Sequence, residues 1–217
     1  MNGTVSVLIS GVGGQGVLAV SRVIAAAACQ SSAFVSRTES RGLSQRGGAV
    51  TSEVRFGNVP VSPAIGWRCA DLILSLDALE AVRVTPFLAR SGQIVANQRL
   101  AIPAYLREQW RVEQVEDEAP TQLTDSIDSI WRDLDNVLLL DPQVLADSLG
   151  FPRGANSVML GAASLYLPIP PDELRSALAE CLRAQQPVQN CRAFDLGRDT
   201  AARLSANPRC ERRVVAV

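Results

Sequence analysis

VSVLISGVGGQGVLAVSRVIAAAACQ, running from Val5 to Gln30, decides the fold class. Its apolar start (Val5, Val7, Leu8, Ile9) breaks at Gly11. Gly13, Gly14 and Gly16 follow, and a long apolar helix begins with Val17 and Leu18. Strand, glycine turn and helix in that order open an α/β sheet protein. Gly11, Gly13 and Gly16 fit G-x-G-x-x-G, the turn that lets backbone N–H groups at a helix N-terminus approach a phosphate closely. A tight turn that needs glycine for packing alone gives the same pattern, and both readings stand. The helix is nearly apolar all round, so it is expected to lie buried against a sheet.

The chain has 217 residues, enough for one large α/β domain with a core of its own. A net charge of −1 gives no general pull toward nucleic acid or an anionic membrane. No apolar run reaches the roughly 18 residues of a spanning helix. The start lacks the basic flank of a signal peptide, so a cytosolic protein is expected. All 21 basic side chains are arginine. Without lysine or histidine there is no Walker lysine, no Schiff base, no histidine base and no histidine metal ligand. Five cysteines, at 29, 69, 181, 191 and 210, form no C-x-x-C pair. Iron–sulfur clusters and structural zinc need grouped thiolates, so neither is expected in this chain, and the cysteines read as buried thiols.

Beyond the first helix, Ala33 to Ser36 reads as a short strand and Arg37 to Gly48 (RTESRGLSQRGG) as a polar, glycine-rich loop. Residues 49–56 alternate, and Gly57-Asn58 is a turn signal before Val59 to Ser62, which together read as a β-hairpin. Ala70 to Leu76 is a strand covered on both faces. Asp77 caps a helix to about Ala89, ended by Ser91-Gly92, and Gln93 to Asn97 is the next strand. In 98–135, Pro103 starts a short helix to Trp110, 112–120 is acidic and exposed, and Thr121 to Leu134 is weakly helical. Asn136 to Leu140 is a buried strand, and Asp141-Pro142 opens a helix ending at Gly150. Helices are then expected at Asn156 to Leu167, from Pro171 to about Ala184, and over 188–204. The reading is a single domain, 1–217, with a helical C-terminal part over 151–205.

Arg37, Arg41 and Arg46 accompany Glu39 in the segment after the second strand. Loops after neighbouring parallel strands emerge at one sheet edge, which would bring this one near Gly13 and Gly14. Arginine forks bind carboxylates and phosphates bidentately. A solvated or subunit-contact loop is the plainer account, its surface ion pairs worth about 0–1 kcal/mol each. A dinucleotide site would want an acidic residue about 20 positions past the glycines. Glu39 lies 23 beyond Gly16, so a free-standing nucleotide- or flavin-binding protein stays open.

SGVGGQGVL (10–18), TESRGLSQRGGAVTSEVRFG (38–57), ADLILSLDALEAVR, NSVMLG (156–161) and NCRAFDLGR (190–198) resemble, in that order, the gamma-type domain of 2-oxoacid:ferredoxin oxidoreductases. Within that group they are most similar to the small beta subunits of the indolepyruvate-specific enzymes. The resemblance implies a three-layer α/β/α, Rossmann-like mixed sheet, mostly parallel with an antiparallel hairpin. It implies an accessory subunit, inactive alone, of an enzyme that decarboxylates a 2-oxoacid oxidatively to an acyl-CoA. Thiamine diphosphate, Mg2+ and [4Fe-4S] clusters would belong to a larger partner subunit, electrons would pass to ferredoxin, and CoA would take the acyl group. Self-association into a homodimer stays open. No catalytic residue and no metal ligand is expected here. Gly11, Gly13, Gly14, Gln15 and Gly16 match the family's glycine loop, and Gln45, Arg46, Gly47 and Gly48 its second loop. With Glu39 and Arg41 they are the candidates to face a shared cleft or CoA path. Many relatives carry histidine where this chain has Arg41, which leaves an anion contact there but no proton handling.

Overall fold

Val7 and Ile9 lie on one side of the first strand and Leu8 on the other, and all three are buried, so this strand needs cover on both faces. The computed structural model describes residues 3–42, 48–100, 121–132 (backbone only for 121–124), 134–182 and 186–206. β1 (Val5–Val12) leads through the glycine turn into α1 (Val17–Ser31), β2 (Phe34–Arg41) and β3 (Ala49–Gly57). β4 (Ala70–Ser75), α2 (Ala78–Val84) and β5 (Leu88–Asn97) follow. Then come α3 (Thr121–Arg132), β6 (Val137–Leu140), α4 (Pro142–Ser148), α5 (Ala155–Ala163), α6 (Pro171–Cys181) and α7 (Pro187–Ala206).

The six strands form one sheet in the order β2-β3-β1-β4-β5-β6. β3 runs antiparallel to both its neighbours, while β1, β4, β5 and β6 are parallel. On one face α1 and the helices α5 to α7 cover Val7, Ile9, Val54, Phe56, Leu72 and Leu74. On the other, α2 and α3 lay Ala81, Val84, Ile127 and Trp131 over Leu8, Ile73 and Ile94. Each fully buried aliphatic or aromatic side chain contributes about 1.5–3 kcal/mol. The architecture is the three-layer mixed sheet that the motifs implied.

Several expectations need correction. The cysteines are not buried thiols: Cys29 and Cys69 are exposed and Cys181 and Cys191 half-buried. The hairpin joins β2 to β3 through residues 42–48, not 49–56 to Val59–Ser62, and Val59 to Ser62 is not a strand. β2 runs eight residues to Arg41, because each residue from Phe34 to Arg41 pairs with β3. The helix after Asp77 ends at Val84: a 3-10 turn at Thr85–Phe87 holds Pro86, which has no N–H to continue it. β5 therefore starts at Leu88, and Gly92, expected as a terminator, sits inside it, where a Cβ would lie 2.5 Å from the Ala70 carbonyl. The helix expected at Pro103 to Trp110 and the acidic stretch 112–120 lie outside the described residues.

Other signals hold. Asp77 accepts from the amides of Leu79 (3.0 Å) and Glu80 (3.1 Å). Asp141 accepts from Gln143 and Val144 (both 3.1 Å), with Pro142 at the first helical position and Gly150 at φ 64 beyond. α5 and α7 cross on facing glycines. A Cβ on Gly161 would collide with the Phe194 carbonyl, and one on Gly197 with the Val158 carbonyl. Gly161→Ala and Gly197→Ala are each expected to cost about 1–3 kcal/mol through overpacking, outweighing the gain of about 1 kcal/mol in helix propensity. Urea unfolding checks this: an unchanged or raised midpoint would show that the helices do not cross this closely.

On α2, Glu80 is 5% exposed and hydrogen-bonds Arg83 at 2.9 Å. Burial pushes its carboxyl above the ordinary carboxylate value, although Arg83 pulls the other way and Asp77 adds to the rise. The folded state thus holds this proton more tightly than the unfolded one, and stability falls as pH rises through the ordinary range toward the raised value. Glu80→Gln is expected to raise the melting temperature at neutral pH, an advantage that vanishes near about pH 4. A thermal-unfolding series across pH reads the difference, and a variant less stable at neutrality would contradict it.

Candidate functional site

The glycine turn sits where chain connections from β1 depart in opposite directions, β3 and β2 to one side and β4 to the other. In open α/β sheets such switch points open a crevice at the carboxyl edge of the strands. Four hydrogen bonds shape the turn. Gln15 N–H donates to the Val12 carbonyl (3.0 Å), and the Val12 N–H donates to Gln15 Oε1 (2.7 Å). Gly13 N–H reaches the Gly48 carbonyl (2.9 Å), and Asn156 Nδ2 on α5 donates to the Gln15 carbonyl (2.7 Å). Gly11 belongs to β1, and a Cβ there would lie 2.7 Å from Gln15 Oε1, so its glycine makes room for that side chain.

Gly14 and Gly16 have φ of +99° and +91°, which favour glycine on conformation alone. They differ in surroundings: nothing stands near a Cβ on Gly14, whereas one on Gly16 would collide with Asn156 Nδ2. The amides of Gly14, Gly16, Val17 and Leu18 have no backbone acceptor among the described residues. They lie at or beside the N-terminus of α1, whose first turn holds no acidic side chain. Such an end attracts anions.

These residues line an open cleft of about 760 Å³ together with Arg41, Gly42 and Gly48 to Val50. Of the expected site residues, the structure brings Gly13, Gly14, Gly16, Arg41 and Gly48 together here, while Gln45, Arg46 and Gly47 lie outside the described residues. Glu39 stands apart. β3 separates its strand from β1: Glu39 and Ile9 share Ser52 as cross-strand partner, which puts Glu39 about 10 Å from β1, two strand spacings, level with Ile9 and short of the turn. Its carboxylate meets Arg37 Nη2 at 3.2 Å and Arg41 Nη2 at 3.5 Å. Two guanidiniums share one carboxylate, and the Arg41 side chain stays 63% exposed beside the cleft. What the site can do chemically is hold an anion. Among the described residues no three His, Cys, Asp or Glu side chains gather as a metal site requires.

The family model for pyruvate ferredoxin/flavodoxin oxidoreductase matches residues 6–200. The chain belongs to this family. It is 30% identical over 199 residues to the indolepyruvate oxidoreductase subunit IorB of Methanothermobacter thermautotrophicus, covering 91% of this chain and 97% of that protein. The IorB subunit of Archaeoglobus fulgidus is 28% identical over 204 residues, 90% and 94% of the two chains. The gamma subunit of a keto/oxoacid ferredoxin oxidoreductase from Geobacter sulfurreducens superposes with a TM-score of 0.64 at 21% identity, over 93% of this chain and 98% of that one. The 2-oxoglutarate:ferredoxin oxidoreductase of Magnetococcus marinus gives 0.66 at 17% identity, over 94% of this chain but 32% of that one. At such identities the structures speak to fold alone: the same architecture stands as a separate chain in one and as about a third of a longer chain in the other.

Asn156 is a part of the site that motif reading did not assign, and Gln15, expected to face the cleft, is not part of its lining: its side chain folds back to accept from Val12. Both lay within family-like stretches, but spacing carries no sign that an amide 141 positions on will meet the turn. Gly14→Ala is expected to cost about 1–2 kcal/mol from the left-handed backbone alone. Gly16→Ala should cost more, and Asn156→Ala in that background should return the excess. A double-mutant cycle by denaturation tests this, and equal costs for the two glycines would refute the Asn156 clamp.

Proposed function

We propose that this chain is the accessory, gamma-type subunit of a thiamine-diphosphate-dependent 2-oxoacid ferredoxin oxidoreductase acting on indolepyruvate or a related arylpyruvate in the cytoplasm. The family membership and the IorB relatives, matched over nearly their whole length, support the assembly and the substrate class. The observation that carries the role of the cleft is the Gly13 N–H···O=C Gly48 bond. It joins the two glycine segments into one wall with amides left over on it.

Thiamine diphosphate, Mg2+ and the [4Fe-4S] clusters do not fit this chain's donor set. The sequence has no G-D-G…N motif to hold a diphosphate and its metal ion, and its cysteines are too scattered for a cluster. We assign those groups, and the passage of electrons to ferredoxin, to the larger partner subunit, and route no step through them here. CoA suits the cleft better: the Gly14 and Gly16 amides and the Arg41 and Arg46 guanidiniums would hold its phosphates or a substrate carboxylate. When bound, CoA supplies the thiol that carries off the acyl group. The chain's own part is to bind and orient an anion, because arginine stays protonated throughout the working pH range. The free-standing nucleotide-binding alternative is disfavoured by Glu39, which is bound to two arginines and set two strands from the turn.

Purified together with a larger, thiamine-diphosphate-binding subunit of this enzyme class, this chain should support indolepyruvate-dependent dye reduction, and purified alone it should be inert. Turnover by the single chain would contradict the assignment. Arg41→Ala and Arg46→Ala are each expected to raise KM for CoA or the 2-oxoacid about tenfold, the loss of one charge-assisted hydrogen bond of about 1.5 kcal/mol. Normal kinetics in an assembled variant would make that arginine an interface residue only.

A further inference from the structure

A second cavity, of about 190 Å³, lies among α1, α5, α6 and the start of α7, apart from the cleft. Val20, Val23, Leu160 and Leu178, all buried, give it an apolar floor, and Phe151 is part of its wall. Its buried polar lining is already engaged, since Ser157 Oγ donates to Asn190 Oδ1 (2.7 Å) and Asn190 Nδ2 donates to the Gln186 carbonyl (3.3 Å). Arg153 differs. It lines the cavity from the 3-10 turn Pro152–Gly154, is exposed, and makes no ion pair among the described residues.

Size and chemistry together narrow what fits. An apolar cavity of about 150 Å³ takes one benzene ring, so this one has room for a ring and a short substituent. A guanidinium at the rim of a hollow with an apolar floor selects a planar carboxylate, which it can hold with two parallel hydrogen bonds. We propose that this cavity binds a small aromatic monocarboxylate, its ring on the Val20–Leu160–Leu178 floor and its carboxylate on Arg153. The site communicates with the cleft through Asn156, which lines the cavity and donates to the Gln15 carbonyl of the glycine turn (2.7 Å). Occupancy of the cavity is therefore felt at Gln15 and Gly16. The proposal stands on the cavity alone, and its test reads binding rather than turnover, so its failure leaves the accessory-subunit reading untouched.

Phenylacetate is the probe, with phenylacetamide as the neutral molecule of the same shape, titrated into the full-length chain by calorimetry and by 15N spectroscopy. Phenylacetate is expected to saturate one site per chain with a Kd of about 1 mM or tighter, and phenylacetamide to bind about tenfold more weakly. The backbone amide signals of Gln15 and Gly16 should shift as the site fills. Arg153→Gln, at an exposed position without an ion pair among the described residues, should keep the fold, lower phenylacetate affinity about tenfold and leave phenylacetamide binding unchanged. Absence of saturable binding up to about 20 mM, equal affinity for acid and amide, or an unaltered Arg153→Gln variant would each overturn the proposal. So would loss of the site on adding the larger subunit, because the hollow would then be the seat of a partner side chain.

Discussion

The peptide groups from Val12 to Gly16 are tied down from three directions: by Gln15 folding back on Val12, by the Gly48 carbonyl of the hairpin, and by Asn156 of α5. Each tie uses a backbone group that would otherwise seek water, so the turn is ordered by satisfying its own polarity. Among the described residues, what remains without a backbone acceptor are the amides at the start of α1, whose residues line the cleft. The same ties place the apolar helices. Asn156 lies in the first turn of α5, whose Gly161 packs against α7, so the close α5–α7 crossing and the glycine turn are anchored through one helix.

The antiparallel strand β3 changes what this arrangement can bind. Placed between β1 and β2, it moves the carboxylate-bearing strand away from the turn and brings its own start, with Gly48, up against Gly13. The position where a dinucleotide site would present an acid to a ribose is taken by backbone and by Val50, which pairs with both Gly11 and Arg41. Glu39, drawn between Arg37 and Arg41, orders positive charge at the cleft instead of offering negative charge to a ligand.

Much of this was legible in the sequence because the signals are local. The β1–turn–α1 unit, the caps at Asp77 and Asp141, and the stop at Gly150 each follow from one residue's stereochemistry or hydrogen-bonding inventory. The failures share a cause as well. Arg37 to Arg41 reads as loop because an edge strand with a polar alternation shows no apolar period, and only its pairing with β3 makes it a strand. Gly57-Asn58 reads as a hairpin turn, yet the chain leaves the sheet there and returns at Ala70; Arg55, donating to the carbonyls of Ser62 (2.9 Å) and Ala64 (3.2 Å), fastens the loop between. The two mid-helix glycines, 161 and 197, fall in family-like stretches, but their physical role is a crossing that joins segments 36 residues apart. Contacts of that range leave no mark in a single segment's pattern.

The composition decides how far the cleft's chemistry extends. A site whose cations are all arginine keeps its charge across the working pH range, so it attracts and orients an anion but neither takes nor gives a proton. Oriented amides behave the same way: they stabilise charge wherever it develops without moving it. Decarboxylation and electron transfer need groups that change their bonding or oxidation state, and neither an arginine fork nor a glycine turn does. A wall of this kind is therefore useful where another subunit holds the reactive centre nearby, and its value lies in having its dipoles already in place before the anion arrives. The hydrogen bonds from Gly13 and Asn156 bear on function in that sense: they hold the turn in position in advance, so that binding does not have to order it.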